Sequence, residues 1–151
     1  MTEKEVVEAT REHISNVRWF MTRVSCILEE RAGRHDLSKM KDPELPIFIE
    51  YTPKLAGTTY GSDEYKQYLK EMQVALNHHY ENNRHHPEHF KDGVNGMNLV
   101  DLIEMFCDWK AATLRHNDGD IMKSIEINKE RFGLSDQLAQ ILRNSVELVQ
   151  P

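Results

Sequence analysis

The sequence is poor in the residues that interrupt helices. Its 151 residues include only seven glycines and five prolines, with 39% hydrophobic and 29% charged residues. This composition is typical of a globular protein and leaves little room for disordered or repetitive segments. No segment alternates between apolar and polar residues for long enough to predict a strand. A chain of this length is expected to form one domain, residues 1–151, with a core of its own.

Three further absences exclude classes of function. Two cysteines, Cys26 and Cys107, are too few for a disulfide framework, so a reducing, cytoplasmic setting is expected. No apolar run approaches the roughly 20 residues of a membrane span, and the charged start "MTEKEVVEATREH" does not resemble a signal peptide. The net charge of −6 provides no overall electrostatic footprint for nucleic acid or an anionic membrane.

The hydrophobic periodicity predicts a compact all-α bundle of five or six helices. The first helix begins at a capping-box pair, Thr2 and Glu5, and ends at Gly33. Short helix and loop are expected over 42–61, followed by helices over 62–83, 98–115, 120–131 and 136–149. The inward stripe of the first helix is predicted to consist of Val6, Thr10, His13, Val17, Phe20, Val24 and Ile27.

Five of the eight histidines lie within "NHHYENNRHHPEHF", residues 77–90. Imidazole is the commonest metal ligand in proteins. Two histidine pairs are separated by seven residues, or two helical turns, and the apolar stripe of the preceding helix favours His79 over His78 as the inward member. We therefore expect His79 and His86 to face a metal. His78, His89 and His116 are the expected bystanders.

Other candidate ligands are distributed along the chain. His13 lies on the stripe of the first helix, and the doublet His35-Asp36 follows that helix directly. Asp108 is flanked by Phe106, Cys107 and Trp109, which indicates partial burial and therefore a partner for the carboxylate. The remaining acids of the same helical stripe, Asp101 and Glu104, are predicted to be surface residues.

In this order, the residues resemble the HD-domain superfamily of metal-dependent phosphohydrolases. "HDLSK" is similar to the His-Asp-x-x-Lys signature of one of its subgroups. "HHPEHFKDG" is similar to a His-His pair followed by an acidic-Gly turn, and "CDWKAA" resembles the end of the family pattern. The resemblance covers roughly residues 10–116. More narrowly, the chain is similar to short phage and bacterial proteins of unassigned function.

The resemblance implies a set of metal ligands and a residue that contacts phosphate. His13, His35, Asp36 and Asp108 would hold a first divalent ion, and His79, His85 and His86 are candidates for a second. Lys39 would contact a substrate phosphate, and Arg34 and Arg115 could neutralise further phosphate oxygens. Asp36 and Lys39 are the candidate catalytic residues. The ion could be Mn, Fe, Zn, Mg or Ni, and one or two ions are compatible with the ligand set.

The expected function is hydrolysis of a nucleotide or another small phosphate ester by a metal-activated water. Two alternatives stay open: an HD-type di-iron oxygenase, and a non-catalytic nucleotide-binding or interaction protein whose metal is structural. The expected partner is a small phosphorylated substrate, without a membrane or an extended nucleic-acid surface. A homodimer stays open.

Overall fold

The computed structural model describes residues 1–59, 62–115 and 119–150, and over these ranges the chain is all-α without strands. The predicted fold class is confirmed. The chain divides into two compact units, Met1–Arg34 and His35–Pro151. The described residues form seven α-helices: α1 Glu3–Arg34, α2 Glu44–Ala56, α3 Asp63–Glu71, α4 Gln73–Asn82, α5 Leu99–Thr113, α6 Ile121–Phe132 and α7 Asp136–Asn144.

The first unit consists of α1 and the two residues before it. Its capping box forms as predicted: the Thr2 amide donates to Glu5 Oε2 at 2.6 Å, and the Glu5 amide donates to Thr2 Oγ1 at 3.3 Å. No residue of α1 is buried, and Phe20, on the stripe predicted to face inward, is 61% exposed. Helical periodicity identifies an apolar stripe, but it does not identify what covers that stripe.

The helix count exceeds the prediction because two segments differ from it. The segment over 42–61 contains a 13-residue helix, α2, with Pro53 in its last turns. The long helix predicted over 62–83 is interrupted at Met72, whose backbone angles, φ −79° and ψ 2°, leave the helical region. Met72 and Ala75 are both buried at this junction. Burial of the junction stabilises a break that periodicity alone does not reveal.

The main core of the second unit lies between α5, α6 and α7. Each of these helices begins at a side-chain cap, and Gly133, with φ 64°, adopts the left-handed conformation that ends α6. The caps set the residue at which each helix begins and therefore which residues share its apolar face. The apolar faces of the three helices pack against one another. The buried core residues are Phe106, Ile121, Ile125, Leu134, Ala139 and Leu142.

A buried carboxylate joins the start of α5 to the loop after α4. Asp101 is fully buried, and its Oδ2 accepts the Asn98 amide at 3.0 Å in a capping box. Arg84 donates to the same carboxylate from two nitrogens, at 3.1 and 2.9 Å. The prediction of Asp101 as a surface acid is therefore wrong, because the loop after α4 supplies it with a cation. This pairing fixes the backbone on which the next two residues, His85 and His86, stand.

Among the described residues, no helix is both long enough and apolar enough to cross a membrane.

We expect Asp101→Ala to destabilise the second unit by about 3 kcal/mol, because it removes the Asp101 half of the capping box and leaves the Arg84 guanidinium without its carboxylate. Urea denaturation monitored by circular dichroism measures the change. Asp136→Ala is the matched control, since Asp136 is an exposed acid in the first turn of α7. Equal midpoints for the two variants would contradict the role assigned to Asp101.

Candidate metal centre

A left-handed turn places Asp36 at the centre of the site. Asp36 has φ 58° and ψ 11°, and a short 3-10 turn, Leu37–Met40, follows it. For most L-residues this conformation costs on the order of 1 kcal/mol, and aspartate is one of the few that adopt it. Lys39 closes the turn twice, with its amide donating to the Asp36 carbonyl at 3.0 Å and its Nζ to Asp36 Oδ2 at 2.7 Å.

The two histidine pairs meet because the chain reverses, and not because a helix continues through them. Helix α4 ends at Asn82, and both Asn83 and His86 have extended backbones. Asn83 is buried and donates from Nδ2 to the His79 carbonyl and to Ser38 Oγ, both at 2.8 Å. The reversal brings His79 Nε2 to 2.9 Å from His86 Nε2.

Three imidazoles converge on one oxygen of Asp36. Asp36 Oδ1 lies 3.4 Å from His79 Nε2 and 3.5 Å from His85 Nε2, and His86 completes a group of four whose donor atoms lie within 4.8 Å of one another. Asp36 Oδ1 and His85 Nε2 are buried and have no hydrogen-bond partner. Two ligand atoms that each lie about 2.1 Å from one ion are about 3.0 Å from each other when the angle at the ion is a right angle. They are about 3.4 Å from each other when that angle is tetrahedral. The spacings therefore fit the edges of a coordination polyhedron.

The other oxygen of Asp36 belongs to a second group. His35 Nε2 lies 3.5 Å from Asp36 Oδ2 and 3.6 Å from Asp108 Oδ1, and these three residues also offer donor atoms within 4.8 Å of one another. Asp36 thus presents one carboxylate oxygen to each of two donor groups. A bridging carboxylate has this arrangement in two-metal sites. The residues present thus fit one divalent ion or two.

Two glutamates stand behind the imidazoles and fix their orientation. Glu44, fully buried, accepts from His79 Nδ1 at 2.9 Å, and Glu104 accepts from His35 Nδ1 at 2.9 Å. Glu104 Oε1 also lies 3.1 Å from His85 Nδ1. With the proton of His79 held on Nδ1 by Glu44, that ring presents the lone pair of Nε2 to the site, which is how carboxylates tune histidine ligands around metals.

Sequence reasoning missed both glutamates. The prediction of Glu104 as a surface acid is wrong: its side chain is 10% exposed, and it lies one helical turn before Asp108 on the same face of α5. That four-residue spacing from a candidate ligand was the available signal. Glu44 has no comparable signal, because it stands alone in the proline-flanked stretch "DPELP".

A family model described as "family of unknown function (DUF5662)" matches residues 2–148. The chain belongs to the DUF5662 family. No curated protein and no solved structure matches it.

The electrostatics of this DUF5662 site favour a cation. Hydrogen bonds with Asp108 and Glu104 raise the pKa of His35 to about 10. Burial would raise the pKa of Asp36, but the hydrogen bond and charge of Lys39 outweigh it and lower the pKa. Burial would also raise the pKa of Asp108, but the hydrogen bond with His35 outweighs it and lowers the pKa. Both carboxylates are therefore ionised at neutral pH.

Two imidazoles of the DUF5662 site are held neutral. Burial, with the neighbouring His85 and His79, lowers the pKa of His86 to about 3, and burial also lowers the pKa of His79. A neutral imidazole is the form that binds a metal. A divalent ion at His35 would have to displace the proton that its neighbouring carboxylates stabilise there.

Most of the predicted site residues of the DUF5662 chain lie together in the second unit. The groups around Asp36 contain His35, His79, His85, His86 and Asp108, and Lys39 is bonded to Asp36. His13 lies exposed on α1, in the first unit, and belongs to none of the donor groups found among the described residues. Arg34 ends α1, 3.3 Å from Glu30. Metal binding by His13 and phosphate binding by Arg34 stay predictions.

The expected bystanders are engaged elsewhere or lie outside the described residues. His78 Nδ1 is 2.7 Å from Glu44 Oε1, and His89 Nδ1 is 2.8 Å from the Tyr80 carbonyl. His116 lies outside the described residues. Glu44 therefore accepts from both members of the first histidine pair, while only His79 reaches the donor group around Asp36.

A cavity of about 730 Å³ borders the cluster at Asp36 and Lys39. Arg115 lines it as well, so two cations face the same space. Its volume lies within the range of small-molecule sites, on the order of 300–1,000 Å³. Its apolar lining is provided mainly by Phe48, Leu55, Ala56 and Tyr65.

We expect Glu44→Ala to destabilise the DUF5662 fold by about 3 kcal/mol, because two imidazole N–H groups lose their acceptor at a fully buried position. Glu50→Ala is the matched control: Glu50 lies on the same helix and pairs with Lys54 in an exposed i,i+4 contact. We expect that control to cost less than about 0.5 kcal/mol. Thermal and urea unfolding measure both, and a Glu44→Ala variant as stable as Glu50→Ala would contradict the burial argument.

Proposed function

We propose that this DUF5662 protein is a metal-dependent phosphohydrolase that acts on a nucleotide or a similar small phosphate ester. The observation that carries the proposal is the convergence of imidazole and carboxylate donors on both oxygens of Asp36, with Lys39 bonded to the same carboxylate at the wall of a cavity. The resemblance of the His35-Asp36 doublet and the later histidines to the HD-domain pattern supports the same function.

The residues that would hold the metal are those of the two donor groups. Asp36 Oδ1 and the Nε2 atoms of His79, His85 and His86 would form one position, and Asp36 Oδ2, His35 Nε2 and Asp108 Oδ1 the other. Bound there, a divalent ion lowers the pKa of a water molecule toward neutrality and withdraws charge from a phosphoryl group. Glu44 and Glu104 would act as positioning residues, because they accept from the Nδ1 atoms of His79 and His35.

The cations beside the cluster suit the phosphate. Lys39 Nζ is held between Asp36 and the face of the Phe48 ring, 5.7 Å from its centroid, so it stands at the border between donors and cavity. Arg115 lines the same cavity. In hydrolysis a water oxygen forms a bond to phosphorus, the ester P–O bond breaks and the alcohol leaves with a proton. Lys39 and Arg115 would stabilise the charge that develops on the phosphoryl oxygens.

The proposed setting is the cytoplasm of a bacterial or phage-infected cell. Cys26 and Cys107 are both free thiols in this structure, as a reducing compartment requires.

We expect Asp36→Asn to abolish metal binding and turnover while the helical fold persists. Asparagine also adopts the left-handed conformation, so the turn is retained, but the bridging negative charge is lost. Metal per chain, measured by mass spectrometry on freshly purified protein, and far-ultraviolet circular dichroism give the two readouts. Asp92→Asn, at a turn outside the donor groups, is the control. An Asp36→Asn variant with wild-type metal content and activity would contradict the proposal.

We expect hydrolysis of nucleotides or sugar phosphates in the presence of Mn²⁺, Fe²⁺, Zn²⁺, Mg²⁺ or Ni²⁺. We expect Lys39→Ala to lower kcat/KM by about 10²- to 10³-fold, which is the effect of removing a preorganised donor. Lys41→Ala is the control, and the metal content of both variants is measured so that a lost ion is not mistaken for a lost phosphate contact. Oxygen consumption by an iron-loaded protein without phosphate release would contradict hydrolysis. Retained metal without turnover of any ester would also contradict it.

A further inference from the structure

A second cavity, of about 490 Å³, also borders the metal cluster. It meets the cluster at His86 and Asp108, whereas the cavity described above meets it at Asp36 and Lys39. All four residues belong to, or are bonded to, the same set of donors. Among the described residues, the cluster therefore borders both of these spaces. Lys39 and Arg115 line the first space, and Lys123 and Arg131 line the second. A molecule whose phosphate lies at the donors can place its remaining part in the second space.

The second cavity has an aromatic wall. The indole of Trp109 and the ring of Phe132 are stacked, parallel within 5°, with centroids 6.3 Å apart. The Arg131 guanidinium lies over the Phe132 ring, 4.6 Å from its centroid. All three residues line the cavity. Phe132 therefore already carries a cation, and the indole of Trp109 is the surface on which a planar heteroaromatic group can stack.

Polar groups on α6 stand beside this wall. Ser124 and Asn128 line the cavity, and Asn128 donates its amide nitrogen to the Ser124 carbonyl at 2.9 Å. The contacts of Asn128 with Ser124 use only that nitrogen, so the amide oxygen can accept a hydrogen bond from a ligand. A nucleobase carries donors and acceptors along its edge, whereas a sugar or a simple alkyl group does not combine such an edge with a flat ring.

The aromatic wall lies in the same cavity as the edge of the metal cluster. Asp108 and Trp109 both line this cavity, so one small molecule can contact both the donors and the indole. In the first cavity the face of Phe48 carries the Lys39 ammonium, and the described residues that line that cavity include no indole. We propose that the cavity lined by Trp109, Phe132, Ser124 and Asn128 binds the nucleobase of the substrate. This inference rests on the proposed phosphohydrolase function and narrows its substrate to nucleotides.

The chain has two tryptophans, which permits a direct optical test. In a Trp19→Phe background Trp109 is the remaining emitter. We expect adenosine and adenosine monophosphate to quench its fluorescence saturably, and ribose 5-phosphate and inorganic phosphate to leave it unchanged. In the same metal-loaded protein we expect kcat/KM for adenosine monophosphate to exceed that for ribose 5-phosphate about tenfold or more, because stacking one base on an aromatic side chain has an effect of this size.

Trp109→Leu, with Trp19→Leu as its matched control, tests the assignment by turnover. Trp109 also packs against the core, so the readout is the ratio of kcat/KM for the two substrates within one preparation, which does not depend on the folded fraction. We expect the ratio to fall about tenfold in Trp109→Leu and to stay unchanged in Trp19→Leu.

The outcomes separate this inference from the proposed function. Hydrolysis of both substrates at equal kcat/KM, without quenching, would overturn the nucleobase site and leave the phosphohydrolase intact. An equal loss for both substrates in Trp109→Leu would overturn the site as well. Saturable quenching by adenosine without hydrolysis of either phosphate ester would support the site and overturn the hydrolase.

Discussion

A buried carboxylate is stable only when it has a partner, and the second unit is organised around this constraint. Glu44 and Asp101 are fully buried, and Glu104 is nearly so. Each is compensated by groups that come from a different part of the chain: histidines for the two glutamates, and a guanidinium for Asp101. The free-energy cost of burying these acids is high, and the contacts that offset it are also the contacts that aim the imidazole rings.

Helix α5 links the stability of the fold to the chemistry of the site. Its acidic stripe has three successive roles: Asp101 completes the capping box and holds Arg84, Glu104 accepts from His35, and Asp108 offers an oxygen to the donor group at His35. Because the three acids share one face of one helix, their relative positions are set by helical geometry. A shift of Asp101 at the start of α5 would therefore also move Glu104 and Asp108, because all three belong to one helix.

The sequence predicts the helical class and the capping box of α1, because both depend on local spacing, and residue type singles out most of the side chains that lie around Asp36. Periodicity does not predict the break at Met72, which depends on burial between neighbouring helices. The meeting of His79 with His86 agrees with their seven-residue repeat, although the physical cause is a chain reversal after Asn82 and not a continued helix. The roles of Glu44 and Glu104 are the hardest to predict from the sequence. An acid that accepts from a histidine looks the same in a sequence as an acid that faces solvent.

The left-handed turn at Asp36 restricts which side chains suit the centre of the site. Aspartate and glutamate carry the same charge and often replace one another among metal ligands. At φ 58° and ψ 11° the shorter residue is favoured for a reason unrelated to metals, because its side chain supports a backbone conformation that the longer one disfavours. The exchange Asp36→Glu would keep the charge and disfavour the turn. A substitution that is mild in charge is, at this position, a strain on the backbone.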